Sequence, residues 1–173
     1  MPRRSWTERV SLALALILVV VGIASPLGWM LRVDRLVQPI EHLSPIMFNE
    51  GICFLAIGIA LFGREFGLKN APWGGLVAAI IGTLTVIEGL TGNDLKIDEL
   101  FTRDTLLIDT AQPGRGSIMG AACIAVAGFT IFWRITNKRA RERLFAEAVF
   151  GSVGASVGFA TLLGYAFSLP AVY

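Results

Sequence analysis

Five apolar runs follow one another along this chain, at 10–31, 46–62, 73–90, 118–133 and 148–167. In hydrocarbon every backbone polar group must be satisfied internally, which leaves helices and closed barrels as spanning structures. About 20 apolar residues make one helical span. The runs therefore predict an all-α fold, a polytopic membrane helical bundle of about five transmembrane helices. The runs at 46–62, 73–90 and 118–133 are the shorter ones, and they fit a bilayer with little tilt or within a bundle. Composition agrees: 54% of residues are hydrophobic and 16% charged, against about 25% charged in a soluble domain.

Arg3 and Arg4 precede the first run, as in a signal peptide. The run is too long for a signal core and has no clean small-residue cleavage site, so it reads as an anchor helix. Pro26 is expected to kink it near its end. Trp73, Trp133 and Tyr165 stand near span ends, where amphipathic rings favour the interface. With the N-terminus in the cytoplasm, the inside segments hold ten Lys and Arg and the outside segments five. That asymmetry predicts an N-in chain, with Tyr173 outside.

The predicted organisation has two parts. Residues 1–45 form a cytoplasmic tail, the anchor helix and a first outer loop. Residues 46–173 form a four-helix membrane module: hairpin 46–92, outer loop 92–117, hairpin 118–167. The hairpins partly repeat. The register that lays Cys53 on Cys123 also lays Gly58 on Gly128, Phe62 on Phe132 and Arg64 on Arg134, and a slightly longer shift brings Gly89 onto Gly164. Both copies have the same topology, so the repeat is parallel rather than inverted. Residues 140–147 are read as a positive-inside loop, with a surface helix as the alternative.

Ionisable groups within spans mark functional sites by default. Glu50 and Glu88 qualify, at roughly 3–8 Å below the outer interface for a 1.5 Å rise per residue. With Asn49 and Thr91 they make a candidate polar intramembrane pocket. Two close carboxylates would not both ionise readily, which suits proton or cation sensing. The plainer reading, which is preferred, has each carboxylate reach water or cap a helix. In the outer loops His42, Asp94 and Asp98 are candidate sensing residues; a lone loop histidine titrates near neutrality but is more often simply solvated. Gly151, Gly154, Ala155 and Gly158 bring small residues to the last span, with Gly154 and Gly158 forming a GxxxG step for close packing inside the bundle or against a partner.

Nothing in the sequence assembles a catalytic centre. GxxxxGK[ST], HExxH and GxSxG patterns are absent, and an enzyme is not expected. Cys53 and Cys123 sit within apolar runs and read as small core residues. With one histidine and no CxxC, no metal site and no cofactor are expected. The expected partners are the lipid bilayer and a membrane protein or further copies of the chain, not nucleic acid.

One segment carries a family pattern. In 84–101, LTVIEGLTGNDLKIDELF, the residues Glu88, Leu90, Thr91, Gly92, Asp94, Leu95, Ile97, Asp98, Leu100 and Phe101 form E-x-L-T-G-x-D-L-x-I-D-x-L-F. Pro113, Gly114 and Arg115 follow, and Ser44, Pro45, Asn49 and the apolar residues 53–61 precede. The end, GYAFSLPAVY, completes it. Residues 43–173 thereby resemble the N-terminal multi-pass membrane module found ahead of PAS, histidine-kinase or diguanylate-cyclase domains in bacterial signalling proteins. Ile118 and Met119 stand where that module usually has a Pro-Asn pair. The resemblance implies a sensory module without catalysis of its own. In the family a further helix leads to the output domain, so with Tyr173 outside this chain is expected not to drive a cytoplasmic kinase itself. The alternative expectation is an accessory or structural subunit of a larger membrane complex.

Overall fold

The computed structural model describes residues 5–39, 45–92, 117–137 and 139–166. Among them the chain is all-α: α1 (Trp6–Leu31), α2 (Asp34–Val37), α3 (Phe48–Glu65), α4 (Ala71–Thr91), α5 (Ile118–Thr136) and α6 (Ala140–Ala166). Among the described residues three helices, α1, α4 and α5, are long and apolar enough to cross a membrane, fewer than the five expected. For α3 the shortfall has a local cause: Glu50, Arg64 and Glu65 fall inside it.

Local chemistry sets the helix ends. Ser5 and Glu8 form a reciprocal capping box at the start of α1, an arrangement that satisfies two orphan amides. The Ser117 hydroxyl accepts from the Gly120 N–H at 2.9 Å and starts α5. Gly92 ends α4 with φ 69°, a left-handed geometry that suits glycine. Pro26 does not end α1, which continues to Leu31. Residues 140–147 are no loop: α6 begins at Ala140 and carries the basic stretch as its first two turns. Propensity and tertiary contact, not apolarity, set that boundary. Arg134 Nε meets Glu147 Oε1 at 2.7 Å and ties the end of α5 to α6.

Consecutive long helices pack antiparallel at very short range. Glycines make this possible. A methyl on Gly58 would lie 2.7 Å from Val19 Cγ2 and 3.0 Å from the Ala15 carbonyl of α1. One on Gly74 would strike the Ala56 carbonyl of α3. One on Gly128 would lie 2.6 Å from the Ala79 nitrogen, and one on Gly82 2.8 Å from the Ala121 carbonyl. Without a solvent-driven hydrophobic term in lipid, such backbone-to-backbone packing is a main source of helix association. The core between α3, α4 and α5 contains Cys53, Ile57, Ala78 and Ile124. The starts of α3 and α5, Phe48 and Ile118, are equivalent positions in the register that lays Cys53 on Cys123. Equivalent glycines of the repeat, Gly58 and Gly128, each receive the preceding long helix.

Candidate functional site

The polar residues of the first hairpin gather at one end of the bundle, where α1 and α4 finish and α3 and α5 begin. Glu50 is the third residue of α3. Its Oε2 accepts the Met47 N–H at 3.1 Å, so the carboxylate reaches back and caps its own helix. Its Oε1 lies 3.5 Å from where a Cβ on Gly120 would stand, in the first turn of α5. One carboxylate therefore sits beside two helix N-termini, whose partial positive charge favours it.

Below Glu50 lies a cavity of about 10 Å³, space for one water molecule. Glu50, Asn49 and Cys53 of α3, Thr85 and Gly82 of α4, and Ala121 of α5 contribute to its wall. Asn49 is buried. The Thr85 hydroxyl donates to the Ile81 carbonyl at 3.1 Å. Glu88 stands one turn beyond Thr85, only 1% exposed, and is not part of the cavity wall. Glu50, Asn49 and Glu88 all make further interactions within the fold. Thr91 is exposed, and its hydroxyl donates back to the Ile87 carbonyl of its own helix at 2.8 Å.

The expected pocket is thus brought together in part. Asn49 and Glu50 share the cavity, Glu88 is buried at the same end, and Thr91 faces away. Thr85 and Gly120 complete the site, and sequence reasoning misses both. The one signal for Thr85 is spacing: it precedes Glu88 by three residues on one helix face. His42, Asp94, Asp98 and most of the 84–101 pattern lie outside the described residues. Among the described residues Gly151, Gly154 and Gly158 have nothing within 4 Å of an added Cβ.

A neighbouring junction holds α1 on this site. Trp29 Nε1 and Ser25 Oγ donate to the Ile46 carbonyl at 2.9 and 3.0 Å. Trp29, Val37 and Met47 pack as a small cluster beside it. Among the described residues no group of three or more His, Cys, Asp or Glu side chains could hold a metal ion. Comparison with protein-family models, curated proteins and solved structures returns no match for this chain.

Proposed function

We propose that the chain is a non-catalytic membrane module of sensory type. In this reading α1, α3, α4, α5 and α6 all cross a bacterial inner membrane, with the N-terminus in the cytoplasm. The ten-to-five division of basic residues supports that orientation. The observation that carries the sensory reading is the cluster of Asn49, Glu50, Thr85 and Glu88 at the outer end of an otherwise apolar bundle. Polar and ionisable groups at such depth are costly and mark sites of function. The Glu50 carboxylate lies beside the first turn of α5, and the cavity next to it is walled by residues of α3, α4 and α5. A small polar or cationic signal arriving from outside would alter this three-helix junction. Helix displacements of about 1–2 Å would then carry the change across the membrane.

The test is purification of the native protein in mild detergent, with the intact mass of this polypeptide and of any chains bound to it. A polypeptide that continues into a kinase or cyclase domain, with output altered by E50Q or E88Q, supports the sensory reading. A chain ending at Tyr173, in fixed stoichiometry with other membrane subunits, sinks it and leaves the second reading, an accessory subunit. One observation favours that second reading: the small-residue face of α6 that nothing in the described structure covers.

A further inference from the structure

The α4–α5 contact shows what a particular residue spacing does in this molecule. On α4 the small residues Gly75, Ala79 and Gly82 stand at i, i+4 and i+7. On α5 Ala121, Ala125 and Gly128 have the same spacing. The two faces meet antiparallel: a methyl on Gly75 would lie 2.8 Å from the Gly128 carbonyl, and one on Gly82 2.8 Å from the Ala125 nitrogen. The spacing therefore brings backbone against backbone over two turns.

The α4 face also lies on α6, in a register one position longer than the one that aligns Gly89 with Gly164. That register pairs Gly75 with Gly151, Val77 with Val153, Ala79 with Ala155, Gly82 with Gly158 and Thr85 with Thr161. Thus α6 repeats the α4 docking face residue by residue. Yet α6 packs on α5 alone among the described residues. Among the described residues nothing lies against Gly151, Gly154 and Gly158, and Ala155 is exposed.

We infer that the Gly151, Ala155 and Gly158 face of α6 is the seat for an apolar transmembrane helix of a partner polypeptide, antiparallel to α6 and carrying small residues at i, i+4 and i+7. The described helices of a second copy of this chain do not supply such a helix. Its antiparallel helices, α3 and α5, already have their glycine faces filled by α1 and α4. In the same membrane orientation its own α6 face would arrive parallel. The inference rests on α6 crossing the bilayer, as proposed above.

The test uses the full chain in phosphatidylethanolamine/phosphatidylglycerol vesicles and a synthetic Ile118–Thr136 peptide as the probe helix. The chain carries Cys53→Ala, Cys123→Ala and a donor dye on Leu144→Cys, which is exposed near the start of α6. Saturable energy transfer is expected, stronger to an acceptor on the peptide's C-terminus than on its N-terminus. The paired change G151L and G158L is expected to weaken binding about tenfold, as is Gly128→Leu in the peptide. Both α6 positions are open and leucine favours a helix over glycine, so the thermal unfolding temperature of the paired variant is expected to be no lower than the parent's. Absence of transfer, or transfer that survives G151L and G158L, overturns the inference. So does disulfide pairing between copies at Ala155→Cys, which assigns the face to a dimer. Reaction of Ala155→Cys with a membrane-impermeant maleimide defeats the membrane reading of α6 itself; a protected thiol with no peptide binding defeats the docking face alone.

Discussion

The indole nitrogen of Trp29 donates to the backbone carbonyl of Ile46 at 2.9 Å, joining α1 to the segment that leads into α3. Ser25 donates to the same oxygen at 3.0 Å. One carbonyl, immediately before the α3 N-cap Met47, is thereby held by two side chains one turn apart on α1. The Val37 carbonyl accepts from the Ile46 N–H at 2.9 Å, so both backbone groups of Ile46 are engaged. The segment that delivers Glu50 to its place is thus fixed from α1.

Removing one of the two donors should cost less than removing both. Trp29→Phe keeps most of the ring packing and deletes one hydrogen bond, for about 1 kcal/mol. With Ser25→Ala added, the carbonyl loses both side-chain partners and the loss should exceed the sum of the two single changes. Denaturation of the four proteins in one detergent measures this; strict additivity would mean that the two bonds act independently.

Glycine substitutions should separate occupied faces from open ones. Gly128→Ala places a methyl 2.6 Å from the Ala79 nitrogen. Backbone cannot yield as a side chain does, so α4 and α5 must part, at about 1–3 kcal/mol. Gly154→Ala meets nothing within 4 Å and should gain a few tenths to about 1 kcal/mol from helix propensity. Opposite shifts in melting temperature are the expected result; equal losses would contradict the packing described for α6.

These contrasts bear on what is legible in the sequence. The starts and ends of α4 and α5 follow the apolar runs within a few positions, because burial in an apolar medium and run length coincide there. The start of α6 is hidden, since Arg141, Glu142 and Arg143 interrupt the apolar pattern without interrupting the helix. Glu50 is visible as an ionisable residue in a span. Its role as a helix cap depends on α3 starting at Phe48, and its approach to Gly120 depends on α5 lying alongside. Neither follows from local pattern. The docking faces are legible once one of them is seen in contact: Gly75, Ala79 and Gly82 look like any small residues until α5 is seated on them.

Charge and hydrogen bonding at Glu50 can be separated by two substitutions. Glu50→Gln keeps the reach-back acceptor for the Met47 N–H, since glutamine serves the capping box too, and removes only the negative charge between two helix N-termini. The expected loss is about 0.3–1 kcal/mol per terminus. Glu50→Ala loses the cap as well, for about 1 kcal/mol more. Equilibrium unfolding at neutral pH ranks the three proteins. A Gln variant as unstable as the Ala variant would show that charge, not capping, is what Glu50 contributes.

The Arg134–Glu147 pair is half-exposed, with side chains 40% and 28% accessible. Screening by solvent and salt keeps such a pair to about 0.2–1 kcal/mol. Its position gives it a second consequence. It joins the last turn of α5 to α6 across the connection at Asn137, beside the edge-to-face contact of Phe129 with Phe150 at 5.6 Å. A double-mutant cycle of Arg134→Gln and Glu147→Gln should give a small coupling that shrinks as salt is raised. Phe150→Ala removes an aromatic packing contact that salt does not screen. It should therefore loosen α6 from α5 at every ionic strength, seen as faster proteolysis near Asn137. If the charge pair instead proved the stronger tether at high salt, α6 would be held on α5 by polar contacts and not by its aromatic seam.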